Sequence, residues 1–140
     1  MSLVFADSGF FIALVDDSDQ LHDRAVQWAA RRRHDSIVTT QMALAEMLNH
    51  VSRHGPHVRA EVAELAHDLE RQPRIEIIPQ TDAQFRAAFE RYAARPDQRW
   101  SLTDCASFLV MEERGISEAL AYDRDFEQAG FTALLRHETL

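Results

Sequence analysis

Four short apolar runs recur along this chain, and the segments between them carry apolar residues at helical spacing. The runs cover residues 3–6, 37–39, 75–78 and 119–122. Apolar stretches of this length, with little polar alternation, suit strands buried on both faces. The spacing predicts helices over residues 8–15, 22–33, 40 to about 54, and 57–71. It predicts another bearing Phe85, Phe89 and Tyr92 behind Thr81 or Asp82, and one from Ser101 or Thr103 to Arg114. Gly55-Pro56, Pro79 and Gly115 fall at the breaks. Residues 126–129 read as a short turn or helix, and residues 131–135 as a last strand. Strands separated by helices require right-handed crossovers. The expected fold is therefore α/β, a three-layer α/β/α arrangement around a mostly parallel sheet of about five strands, in a single domain spanning residues 1–140.

Composition removes several kinds of chemistry. All fifteen Lys+Arg residues are arginines. No phosphate-loop lysine or Schiff-base lysine can exist, so a phosphate clamp must use arginine, main-chain N–H or a metal ion. The net charge of -8 argues against a protein that coats DNA, but carboxylates that hold a cation are neutralised when loaded. Cys105 is the single cysteine, which excludes an intrachain disulfide and a cysteine-based zinc site. The apolar runs are too short to cross a bilayer. No basic segment followed by a long apolar one leads the chain, so a cytoplasmic, reducing setting with no membrane association is expected.

Parallel sheets bind ligands beyond the C-terminal ends of their strands, where strand order reverses. Asp7 directly follows the first apolar run and Asp123 the fourth. Asp104 falls in the first turn of a helix, where the dipole tolerates negative charge. Glu46 lies nearly two turns into its helix, close enough for its side chain to reach a strand-end cleft. Neighbouring first and fourth strands would let all four acids converge. Such a cluster needs a cation, and two or three carboxylates plus water suit Mg²⁺ or Mn²⁺. The ion and a neighbouring acid would activate water for attack on phosphorus. Taken singly, Asp7, Ser8, Thr103 and Asp104 are also good helix caps, and Glu46 or Asp123 alone reads as a solvated acid.

The ordered set of motifs is more specific than any one acid. Phe5-Ala6-Asp7-Ser8-Gly9-Phe10-Phe11-Ile12-Ala13-Leu14 resembles the opening of PIN-domain proteins. Residues 39–47, with Thr40 and Glu46, resemble their second motif, and Ser101-Leu102-Thr103-Asp104-Cys105 their third. Ala121-Tyr122-Asp123-Arg124-Asp125-Phe126, followed by Gly130-Phe131, resembles the fourth. The resemblance implies a parallel five-stranded sheet between helices and an endoribonuclease dependent on Mg²⁺ or Mn²⁺ that leaves a 5′-phosphate. Among small bacterial members it implies a toxin of the VapC type, with an antitoxin partner and a homodimer. It places Asp7, Glu46, Asp104 and Asp123 as the catalytic acids. Asp7 and Asp104 would bind the ion, Glu46 would complete the cluster and orient or deprotonate water, and Asp123 would support the same or a second ion. Asp125 would assist a second ion or merely face solvent, and solvent is the expected outcome.

Other residues read more plainly. Arg31-Arg32-Arg33 would reach RNA phosphates or simply close a solvated helix end. Trp100 would stack on an unpaired base or pack. Glu46, His50 and His54 share a helical face, but a zinc site there lacks a further ligand. Phe85, Phe89 and Tyr92 form a stripe suited to core or dimer surface, and Cys105 is expected to be a small buried hydrophobe. Two rivals remain. A phosphatase of the haloacid type would want Asp-x-Asp after the first strand and a lysine, and the chain has neither. A non-catalytic module would use the acids to hold metal or a basic partner peptide.

Overall fold

In the computed structural model, which describes residues 2–137, the apolar runs become five strands: β1 (Leu3–Ala6), β2 (Ser36–Thr40), β3 (Ile75–Ile78), β4 (Glu118–Leu120) and β5 (Thr132–Ala133). Every pairing is parallel, in the order β3-β2-β1-β4-β5. Strand order reverses beside β1. The chain first moves outward through β2 and β3, then crosses back to lay β4 on the other side. The helices are α1 (Ser8–Val15), α2 (His22–Arg31), α3 (Gln41–Val51), α4 (Pro56–Arg71), α5 (Asp82–Ala94), α6 (Leu102–Arg114) and α7 (Arg124–Gln128), with a 3-10 turn at Leu134–Arg136.

Alternation of side chains along each strand builds two cores. Val4, Ala6, Ile37 and Leu120 meet Phe10, Phe11, Trp28 and Met47 on one face, where α1 to α4 lie. Phe5, Val38, Ala119 and Ala121 meet Phe108, Met111 and Phe126 on the other, under α5 to α7. Both faces of the sheet are thus covered, which gives the expected three layers. Phe108 anchors the second core, with Trp100 and Phe126 edge-to-face at 5.1 and 5.0 Å.

Local chemistry sets the boundaries. Thr40 Oγ1 accepts the Ala43 N–H, and Thr81 caps α5 through the Gln84 N–H. Gly115 stops α6 in the left-handed region at φ 66°, and the Ile116 N–H returns to the Met111 carbonyl at 2.8 Å. Several elements are shorter than their apolar patterns. Helix α2 ends at Arg31 because Arg32 Nε turns to Asp35 Oδ2 at 2.6 Å. Helix α3 ends at Val51, where the Ser52 hydroxyl bonds back to the Asn49 carbonyl. Strand β4 ends at Leu120 rather than at residue 122. The Ala121 carbonyl accepts the Leu135 N–H, and the Tyr122 carbonyl accepts Arg136 Nη1. The run at 131–135 is a two-residue strand followed by the 3-10 turn, with the Leu135 carbonyl held by Arg24 Nη1.

The aromatic stripe of α5 is not core. Phe85, Phe89 and Tyr92 are 43%, 55% and 53% exposed, and α5 buries Ala88 instead. Cys105 is fully buried, as expected of a small hydrophobe. No helix of the described residues is long and apolar enough to cross a membrane.

Candidate active site

A cleft of about 680 Å³ opens at the C-terminal edge of the sheet, where β1 and β4 lie side by side. Asp7, Glu46, Asp104, Asp123 and Asp125 all line it, together with Ser8, Ser101, Arg99, Arg124 and Arg136. The fold therefore gathers all four acids singled out in the sequence, and a fifth.

Asp7 leaves β1 at the N-cap position of α1, but its side chain makes no capping bond. Its backbone is fixed by the pairing of β1 and β4, since the Asp7 N–H donates to the Leu120 carbonyl at 3.3 Å. One residue earlier, Thr39 Oγ1 donates to the Ala6 carbonyl at 2.8 Å. The side chain is thus aimed into the cleft by backbone geometry, and its Oδ1 is enclosed without a hydrogen-bond partner. Burial first, then the charges of Asp104 and Glu46, push its pKa up to about 8, against a smaller pull from the Ser8 N–H.

Asp104 is set by the start of α6. Ser101 Oγ accepts the Asp104 N–H at 3.0 Å, and the Asp104 carboxylate accepts the Ser101 N–H at 3.1 Å. This capping box leaves the carboxylate at the cleft wall. Burial raises its pKa to about 6, with Asp125 and Glu46 adding to the rise and the Ser101 N–H opposing it. Ser101, not Thr103, is the cap, and Thr103 lies inside the first turn, its carbonyl taken by the Ser107 hydroxyl.

Glu46 reaches the cleft from α3, where its Oε1 accepts the Ser8 hydroxyl at 2.5 Å. Ser8, expected only as a possible cap, is instead a buried donor tying α1 to α3. Asp123 is the N-cap residue of α7 and accepts Arg99 Nη2 at 3.0 Å rather than a backbone cap bond.

Asp125 corrects the sequence reading. It is 4% exposed, not solvent-facing, and its Oδ1 accepts Arg99 Nε at 3.2 Å. Two residues beyond Asp123 in the first turn of α7, it turns inward over the second core. The i, i+2 spacing after a strand end was the available signal. Arg99 lies just before Ser101 and Asp104 in sequence, but nothing there says that it reaches Asp123 and Asp125.

Trp100 packs. It is 6% exposed, edge-on to Phe108 and under the Arg95 guanidinium at 5.0 Å. Arg32 belongs to the structure of the α2–β2 turn through Asp35. His50 and His54 stack edge-to-face at 5.9 Å and form no ligand group with Glu46 among the described residues.

The donor set suits a hard divalent cation. It is all carboxylate and hydroxyl oxygen, with one enclosed carboxylate oxygen lacking a partner and two acids whose charge the neighbours resist. Among the described residues no three His, Cys, Asp or Glu side chains already converge as ligands. Glu46, Asp104 and Asp123 are turned to Ser8, Ser101 and Arg99. The sheet edge and helices α3, α6 and α7 present these side chains on a preformed backbone frame.

Known proteins share this frame. The 23S rRNA-specific endonuclease VapC20 of Mycobacterium tuberculosis, matched in two strains, is 32% identical over 130 residues, covering 92% of this chain and 95% of the relative. The crystal structure of M. tuberculosis VapC20, described as a Sarcin-Ricin loop cleaving toxin, superposes with a TM-score of 0.82 at 25% identity, covering 93% of this chain and 97% of that one. The family model described as PIN domain matches residues 4–132. With its five-stranded parallel sheet and carboxylate-lined edge, the chain belongs to the PIN-domain family.

Proposed function

We propose that the protein is an endoribonuclease dependent on Mg²⁺ or Mn²⁺, and the toxin of a toxin–antitoxin pair. One observation carries the reading: Asp7, Glu46, Asp104 and Asp123, dispersed over the chain, line one cleft where strand order reverses. The similarity to VapC20 over nearly the whole length of both chains supports RNA as the substrate.

Asp7 and Asp104 would hold the cation, with Asp123 as a further ligand. The ion, when bound, supplies charge stabilisation at the phosphoryl oxygens. Asp7 presents an enclosed oxygen whose negative charge is resisted until a cation balances it. Asp104 is held at the wall by the Ser101 cap, so it meets the ion without rebuilding the helix start. Glu46 would orient a water or take its proton, with the Ser8 hydroxyl fixing which of its oxygens faces the cleft.

We further propose a cognate antitoxin and a homodimer, for which the exposed Phe85, Phe89 and Tyr92 offer apolar surface. Light scattering on the purified chain tests the dimer. The decisive test of the activity is cleavage of RNA by the purified protein with added Mg²⁺ or Mn²⁺, compared with Asp7→Asn and Asp104→Asn. Each substitution is expected to lower the rate by about 100-fold or more with the circular dichroism spectrum unchanged. Full activity in both variants refutes the assignment.

A further inference from the structure

Arg99 is held between two acids of the cleft. Nη2 donates to Asp123 at 3.0 Å and Nε to Asp125 at 3.2 Å, although the Arg99 side chain is 74% exposed. Its two partners differ. The Asp125 side chain is buried, at 6% exposure, whereas that of Asp123 is 52% exposed. The backbone beneath Arg99 is clamped by buried Trp100 and by Ser101, the α6 cap. Any motion of the guanidinium is therefore confined to the rim of the cleft.

The other arginines of the cleft differ in kind. Arg136 is engaged by the Tyr122 carbonyl, the Tyr122 ring and Glu127. Arg124 lines the cleft but donates to none of its acids among the described residues. Arg99 alone among the three spends its charge on an acid that the nuclease reading assigns to the cation. A guanidinium and a divalent ion on one carboxylate repel each other, so each weakens the other's hold on Asp123. A guanidinium released from Asp123 still has Asp125 behind it and a planar fork suited to phosphate.

Resting on the proposed nuclease reading, we infer that Arg99 is a coupling residue. It competes with the divalent cation for Asp123, and once that carboxylate is taken by the cation, it turns to the RNA phosphate. Cation and RNA would then strengthen each other's binding, because each favours the released arginine.

The experiment measures two affinities on the full chain, Mn²⁺ by titration calorimetry and RNA by fluorescence anisotropy, for the parent, Arg99→Gln and Arg99→Lys. The RNA carries phosphorothioate linkages, which keep their charge and resist hydrolysis. Removing an exposed ion pair should tighten Mn²⁺ binding of Arg99→Gln by about two- to fivefold. The same variant should bind RNA more weakly in Mn²⁺, and its salt slope should be smaller by about 0.7, as for one lost single-strand phosphate contact. Arg99→Lys should return both affinities toward the parent. A purely structural arginine would not move the two affinities in opposite directions. Mn²⁺ affinity in Arg99→Gln equal to or weaker than the parent's, or an unchanged RNA salt slope, overturns the inference. If the parent binds Mn²⁺ and cuts RNA while either failure occurs, only the role of Arg99 falls. A parent that neither binds Mn²⁺ nor cuts RNA overturns the nuclease reading as well.

Discussion

Asp7 sits where backbone geometry and electrostatics conflict. The β1–β4 pairing fixes its position, and burial beside Asp104 and Glu46 resists its charge. The folded chain therefore holds protons on Asp7 up to about pH 8 and on Asp104 up to about pH 6, whereas the unfolded chain releases both near the ordinary value of 3.8. Between those limits the native state binds more protons, so stability should fall as pH rises from about 4 to 8. With chelator present, the melting temperature should decline across that window, and added Mn²⁺ should recover more of it at pH 8 than at pH 5. A flat profile would contradict the burial of these charges. Asp7→Asn should remove cleavage yet stabilise the chelated protein at pH 8 by on the order of 1 kcal/mol or more, read from thermal melts. Asp7 and Asp123 were legible because each follows an apolar run whose end is marked in sequence, Asp104 because it opens a helix, and Glu46 because it lies within reach of the strand ends. Asp125 was not, because the turn of α7 that directs it inward depends on Phe126 packing against Phe5 and Phe108 across the sheet.

At the scale of elements, α6 carries the most consequence per residue. Its first turn positions Asp104, its middle supplies Phe108 and Met111 to the second core, and its start is locked by the Ser101 box. Ser101→Ala should cost about 1 kcal/mol of stability and weaken Mn²⁺ binding, since the Asp104 carboxylate loses the geometry that holds it at the cleft wall. Denaturant titration and calorimetry on one variant check both, and unaltered Mn²⁺ affinity would detach the cap from the site. Trp100→Ala should cost more, about 3–5 kcal/mol by the usual cost of a large buried aromatic. Helix and strand identities were readable from periodicity and from caps at Thr40, Thr81 and Gly115. The ends of β4 and α2 were not: Arg136, distant in sequence, engages the Tyr122 carbonyl beyond β4, and the side-chain pair of Arg32 and Asp35 closes α2 against the apolar pattern. The α5 stripe left core and dimer surface both open, and the structure removes only the first. Its spacing marks a face but cannot say whether the chain itself covers that face.

Across the whole molecule, one sheet serves two cores, and each of β1 to β4 contributes to both. Denaturant unfolding should therefore be a single transition by fluorescence of Trp28, in the first core, and Trp100, in the second. Separate midpoints for Trp28-only and Trp100-only variants would instead reveal two units. The parallel sheet was legible from alternation of runs and helices, whereas the pairing of β1 with β4 stood only as the condition under which the four acids converge. The same topology has a consequence during synthesis. Asp7 is made long before Asp123, and β4, which leads into the latter, closes the flank of β1. A ribosome-bound or prematurely terminated product lacking β4 has no wall on that side of the pocket. A site so divided along the chain cannot close until translation has passed β4.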